Sequence, residues 1–420
     1  MSNPSAINFL DPNIYIGGMP DAELKALREA APLHYLQDEL TGVPYWLVTQ
    51  QKELDYISQN PDIFSSQVRT GVPMEYPQEL IDNIMSRLFL HMDEPRHTQY
   101  RRLANPMFSP KSVGLLEQGS RVHARAIIDA VIEKGECDFV RDIAAELPLL
   151  TILELFGIPG EDRKNFFDWT NTMLFADDPD ENTSPEDGQM ASFHVISYAQ
   201  KLYKKYTENP NDSLLSKMVG GKIDGELLSE EDFCWMVVMI IVAGNESTRT
   251  TISHGMRQLI EHPEQLRYLQ ENPDKIGFAI EEIIRCNPPF VSMRRTALED
   301  VSLGGQEIKR GDKIVLHYHT VNRESGVFGE DSDQFDVRRI ERKPELAREI
   351  RSFGIGSHFC MGKHLARMEM QVMFEELIPR IKNPVFTEPV VYMRSYFIQG
   401  VKRMPIRFDK GVQLGPLAAA

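Results

Sequence analysis

The sequence predicts a mainly α protein with small β-sheets, in a single domain. Three observations carry this. Apolar residues recur with a 3.6-residue period from about residue 50 to 290. Short alternating segments bounded by turn residues occur only at about 30–50 and 290–420. No linker-like or low-complexity stretch divides the 420 residues.

The elements follow in order. Residues 34–49 alternate and turn at Thr41-Gly42, which predicts a hairpin. "RVHARAIIDAVIEKG" and "SFHVISYAQKLYKKYTEN" each carry a helical stripe and a C-terminal stop. Between them "ADDPDENTSPEDGQ", residues 176–189, is acidic and rich in breakers and predicts a mobile loop. A helix of roughly 33 residues should start at Ser229, where Asp232 completes an N-terminal capping box, and end before Pro263. Its first half is apolar on all sides, as in a buried helix. "VSLGGQEIKRGDKIVLHYHT" predicts three strands joined by turns, and "VVYMRSYFIQGVKRMPIRF" a terminal hairpin.

Composition excludes several functions. The chain carries 46 basic and 62 acidic residues, a net charge of -16. A nucleic-acid binder would show a basic surplus instead. Cys137, Cys234, Cys286 and Cys360 lie too far apart for a zinc knuckle, and their scatter suggests a reducing compartment. The N-terminal stretch has no basic start and no long apolar run, and the run from Phe233 to Gly244 is too short to span a bilayer. The expectation is a cytoplasmic protein without a membrane anchor.

One cysteine stands out. "RSFGIGSHFCMGKHLARMEMQ" places Cys360 in a loop with Gly354, Gly356 and Gly362, ahead of a helix. Glycines let the backbone approach a bound group closely. Amides of the loop and of the helix start can point at a thiolate and temper its charge. A thiolate held this way suits the axial position of a haem iron. A buried structural cysteine is the plainer alternative. The spacing F-x-x-G-x-H-x-C-x-G, filled by Phe353, Gly356, His358, Cys360 and Gly362, favours the ligand.

On these residues the sequence resembles the cytochrome P-450 family. "EEIIRC", "DEPRHTQYRRLANPMFSP", "IVAGNESTR" and "VNRESGVFGEDSDQFDVRR" extend the likeness through most of the chain. Together with "GSHFCMG" and "RSYFIQGVKRMP" they are most similar to soluble bacterial members that hydroxylate terpenoids, steroids and branched lipids. The resemblance implies haem b (iron protoporphyrin IX), with Cys360 on the iron. It implies that His97 and Arg101, one helical turn apart, bind the haem carboxylates with Arg295 and His358. Arg294 competes for the third of these places. Phe353 and Gly362 complete the haem contacts. Glu282 and Arg285 would form a structural network with Arg338.

The reaction would be insertion of one oxygen atom from O2 into a C–H bond of a hydrophobic small molecule. Electrons would come from an external ferredoxin-type donor with its reductase, and the protein would act as a monomer. Ala243 and Gly244 would leave room beside the iron, while Glu246 with Ser247 would relay protons. The usual alcohol of the family is Thr. Here Ser247 stands in its place with Thr248 next, so either hydroxyl could serve. The substrate pocket would be apolar and free of buried charge, lined by Ile240, Ala243, Gly244, Val291, Met293 and Phe397. Basic residues near Cys360, namely Arg339, Arg342, Lys343, Arg348, Lys363 and Arg367, would dock the donor. A peroxygenase or isomerase would not need the acid and alcohol. Nor would a haem-based gas or ligand sensor.

Overall fold

The computed structural model describes residues 7–175 and 184–417. Eight principal helices frame the site: α1 (Arg96–Ala104), α2 (Glu117–Ile132), α3 (Glu146–Leu155), α4 (Arg163–Phe175), α5 (Pro185–Glu208), α6 (Glu230–Glu261), α7 (Ile276–Cys286) and α8 (Lys363–Leu377). Further helices and 3-10 turns connect them.

Five strands make the largest sheet: β1 (Leu33–Leu36), β2 (Tyr45–Val48), β3 (Phe64–Ser65), β4 (Ser292–Ala297) and β5 (Lys313–His317). Their order is β1-β2-β5-β4-β3. The β1–β2 hairpin is antiparallel, with Leu33 opposite Val48, and β5 joins β2 in parallel. The sheet thus unites the two strand-bearing parts of the sequence. In the terminal hairpin Val391–Tyr392 pairs with Val401–Arg403, and Pro405–Asp409 pairs with both Lys382–Phe386 and Glu136–Asp138.

Helix α6 organises the interior. Ser229 Oγ accepts the Asp232 amide at 3.1 Å, and three acidic residues fill the first turn, where they complement the helix dipole. Its 32 residues make it about 48 Å long at 1.5 Å each. Phe233, Met236, Val237 and Ile241 join one core cluster with residues of α3 and α5. Ile252, Met256 and Leu259 join another with residues of α2, α7 and α8. The segment Ala243–Thr250 lies between the two, and the main cavity opens beside it.

The acidic run at 176–189 divides. Residues 176–183 lie outside the described residues. Residues 185–189 open α5 rather than a loop. Ser184 and Asp187 form a reciprocal capping box, and Pro185 takes the first helical position, where its missing N–H costs nothing. The residues that read as breakers are helix-starting residues. Among the described residues no helix is long and apolar enough to cross a membrane.

Candidate active site

The cavity lies between α6 and the cysteine loop. The loop is fixed by its backbone. Cys360 N–H donates to Phe353 O at 2.8 Å, and the Gly362 amide points at Cys360 Sγ. Gly356 has φ +77° and sits against the backbone of the helix Gln51–Gln59: a Cβ there would meet Ser58 O at 2.2 Å. Only glycine fits. Burial raises the Cys360 thiol, against the Gly362 amide and the positive charges of Arg101, Arg367 and Lys363.

Basic groups converge beside the sulfur. His97 on α1 stacks on His358 with ring centroids 3.9 Å apart. Arg101, one turn along α1, donates to Phe359 O at 2.6 Å. Arg295 on β4 is buried and, among the described residues, donates only to Arg294 O. Arg294 instead reaches Glu75 at 2.8 Å, because alternate side chains of a strand point to opposite faces. Among the described residues Arg101, Arg295 and His358 form no ion pair, and His97 Nε2 is buried without a partner. His97 does meet Glu94, at 3.3 Å. Burial, followed by Arg295, His97 and Arg101, holds His358 well below the usual imidazole range. Buried cations without counter-charges are costly. A planar ligand carrying two carboxylates beside a thiolate fits this donor set and this apolar cleft.

The α6 segment is less as expected. Ile240, Ala243, Gly244, Ser247 and Thr248 line the cavity, together with Met293, Phe353, His358 and Gly362. Gly244 serves packing as well: a Cβ there would lie 2.5 Å from Ile152 Cδ1 of α3. Ser247 Oγ donates to Ala243 O at 2.8 Å. Glu246 does not line the cavity. It is buried on another face of α6, 3.3 Å from Arg249 and 3.0 Å from Thr250 Oγ1. Burial raises its pKa against both neighbours.

Two expected lining residues are displaced. Val291 is fully buried, donating to Phe397 O and accepting from Tyr318 N. Phe290 lines the cavity, and in extended backbone the next side chain points away. Phe397 lies outside the lining, its ring 5.1 Å from that of Phe290. The cavity is not free of charge either. Arg101 and Arg295 stand at its loop end, and Glu369 of α8 lines it too. Glu369 is not among the residues the sequence leads one to expect at the cavity. The signal was available: Leu365, Ala366, Glu369 and Met370 share one face of α8 by their spacing.

The network behind the loop also differs by one residue. Arg285 makes a bidentate bond to Glu282 at 2.7 and 2.8 Å and donates to Asn322 O and Ser332 O. Arg339, not Arg338, completes it at 3.2 Å. Arg338 is exposed and stacks over the Tyr268 ring at 5.0 Å. Asn322, unforeseen, carries the network to the loop: its amide donates to Ser352 Oγ at 2.8 Å, and its oxygen accepts from Arg351 N.

A cytochrome P450 family model matches residues 278–383. The chain is 34% identical over 415 residues to a steroid C26-monooxygenase of Mycolicibacterium smegmatis, covering 96% of this chain and 94% of that one. The chain belongs to the cytochrome P450 family. It is 33% identical to a linalool 8-monooxygenase of Pseudomonas putida, covering 94% of this chain and 97% of the relative. A Mycobacterium marinum cytochrome P450 solved with pseudoionone superposes with a TM-score of 0.82 at 31% identity, over 92% of this chain and 94% of that one. This P450 is therefore a monooxygenase that uses haem, dioxygen and a redox partner.

Proposed function

We propose that this P450 hydroxylates an apolar molecule of terpenoid, steroid or branched-lipid type, with Cys360 as the residue that would ligate the haem iron. His97, Arg101, Arg295 and His358 would hold the haem carboxylates, and Phe353 and Gly362 would complete the haem contacts. Haem bound to a thiolate supplies the reductive activation of dioxygen and the transfer of one oxygen atom to carbon. The protein's own part is to orient the substrate, exclude water and meter protons. The substrate lies against Phe89, Ile240, Ala243, Phe290 and Met293, a wall that offers shape but no charge. Ser247 lines the cavity and would be the hydroxyl that passes protons there. Its bond to Ala243 O is an ordinary back-bond that rotation about one torsion releases.

A ferredoxin-type donor with its reductase supplies the electrons, the protein works as a monomer in the cytoplasm, and residues 1–420 are read as one functional domain. The observation that carries the reading is the buried Cys360 sulfur facing a cleft rimmed by unpaired cations. Cys360→His tests it. Haem should still bind, but the reduced carbon-monoxide complex should lose its thiolate-type absorption. If that absorption persists, the ligand lies elsewhere. A panel of terpenes, steroids and fatty acids, scored for displacement of iron-bound water in the visible spectrum, tests the substrate class. Tighter binding of charged isosteres would overturn it.

A further inference from the structure

Two electrons and two protons delivered to dioxygen leave as hydrogen peroxide whenever no bond to carbon follows. Hydrocarbon side chains do not react with peroxide, but thioethers do. Two of them face the cavity from the side of α6. Met239 on α6 and Met293 on β4 both line it. Each is half-buried, packed on one side against a core cluster and open on the other to the cavity.

Their positions follow from the elements that carry them. Met239, Ala243 and Ser247 recur every four residues, so they share one face of α6. Met293 precedes Arg295 by two residues and shares its face of β4. Other methionines of the molecule are placed differently. Met361 and Met370 belong to the loop side of the cavity, the first next to Cys360 and the second only 1% exposed. Met236, three residues before Met239 on α6, is fully buried in the core. Met190 of α5 is 56% exposed at the surface. The chain thus holds thioethers open to the cavity, open to solvent and closed to both. Leucine would fill the same volume without a reactive sulfur.

We propose that Met239 and Met293 form an oxidation site inside the cavity, where peroxide leaking from failed turnovers converts them to sulfoxides and so lowers the affinity for apolar substrate. In the step a sulfur lone pair takes one oxygen of hydrogen peroxide, the O–O bond breaks, and the other oxygen leaves as water with both hydrogens. Sulfur loses two electrons and peroxide gains them, so no further reactant is needed. The sulfoxide sets a polar, chiral group on a wall otherwise made by Phe89, Ile240 and Phe290. Covering that oxygen with an apolar substrate is unfavourable. A bound substrate shields both sulfurs, so the site reacts when the cavity is empty. The inference rests on the proposed function, in which dioxygen is reduced in this cavity.

The haem-loaded protein is driven without substrate by a surrogate ferredoxin, its reductase and reduced nicotinamide, with catalase present to destroy peroxide that escapes. Nicotinamide consumed measures the leak. Peptide mass mapping should show one added oxygen on Met239 and Met293, while Met190 and Met236 remain thioethers. An apolar substrate that fills the cavity should suppress the gain, and Ser247→Ala should raise it per nicotinamide consumed. The oxidised protein should bind that substrate about tenfold more weakly. Met239→Leu combined with Met293→Leu should lose no affinity under the same treatment. The proposal is overturned if both cavity sulfurs stay unmodified while nicotinamide is consumed, if Met190 is oxidised as fast as they are, or if the oxidised protein binds substrate as tightly as before. Should the double variant not fold, the map and the affinity of the parent decide alone. Failure of the proposed function would show instead in a thiolate-type carbon-monoxide spectrum that persists in Cys360→His, whatever the sulfur map shows.

Discussion

Arg339 Nε stands 3.2 Å from Glu282 Oε1 and, with Arg285, closes a buried ion cluster behind the cysteine loop. One carboxylate serves two guanidiniums. Arg339 also meets the Asp331 carboxylate at 2.7 Å, and carbonyls of Asn322, Phe328, Asp331, Ser332 and Gln334 take the remaining donors. Removing one member of such a cluster strands charge in a dry interior, at a cost of about 3–5 kcal/mol. Arg339→Ala should therefore lower the denaturation midpoint of the haem-loaded protein sharply and speed haem loss. Arg338→Ala removes an exposed stacking contact and should shift stability by less than about 1 kcal/mol. Equal effects from the two would refute the assignment.

Ser247 and Thr248 are separated by their partners. The Ser247 hydroxyl bonds back to Ala243 O, while Thr248 is engaged by Glu369. Serine lacks the methyl that restricts threonine to fewer rotamers, so its hydroxyl can swing between cavity and helix. Ser247→Ala should uncouple oxygen use from hydroxylation, cutting product formation by about tenfold or more. Thr248→Ala should have a smaller effect, and Ser247→Thr should improve coupling. Product per reduced nicotinamide in a reconstituted system measures all three. A parent-like yield from Ser247→Ala would shift the role to another hydroxyl.

Much of this was legible in the sequence because the residues concerned sit in local patterns. The loop around Cys360 and the pair His97 and Arg101 depend on spacing within one turn or helix. The limits of α6 are written in its Ser229 cap and Pro263. What escaped depends on orientation in three dimensions. Whether Arg338 or Arg339 turns inward is settled by one step along a short helix. Whether Glu246 faces the cavity depends on how α6 is rotated against α3, where Ile152 packs on Gly244. Val291 and Phe397 were misplaced because strand alternation shows which residues share a face but not which face meets the cavity. Glu369 was missed because an acid on a helix is usually solvated.

Three buried histidines make the fold acid-sensitive. Burial holds His254 down to about 3, His317 to about 3 and His319 to about 4. Each has a folded pKa below its unfolded value near 6.5. Between these values the unfolded chain binds the proton and the folded one does not, so stability is full above pH 6.5 and falls as pH drops toward 4. Each such group removes about 1.4 kcal/mol per pH unit in that window. The melting temperature should begin to fall below about pH 6.5, well above the carboxylate range. His317→Gln should flatten that slope by about one proton; a slope unchanged by it would show that the loss arises elsewhere.

The last prediction concerns the donor. The basic residues near Cys360 are not equivalent. Arg339 is buried with Glu282 and is unavailable for docking. Arg367 is bidentate with Glu281 at 2.5 and 2.9 Å, and Arg342 is paired with Asp336. Lys343 and Arg348 are exposed and form no ion pair among the described residues, and Lys363 lies 4.2 Å over the Phe359 ring beside the loop. For an acidic donor approaching a protein of net charge -16, a face with free cations is the favourable one. Charge complementarity acts chiefly on the association rate and fades as salt shortens the Debye length to about 8 Å at 0.15 M. Lys343→Glu combined with Arg348→Glu should slow reduction by about tenfold at low salt, with the difference closing as salt rises. Arg342→Glu, which meets Asp336 first, should do less. Stopped-flow reduction across an ionic-strength series reads this directly. Rates indifferent to both salt and charge reversal would place the donor on another face.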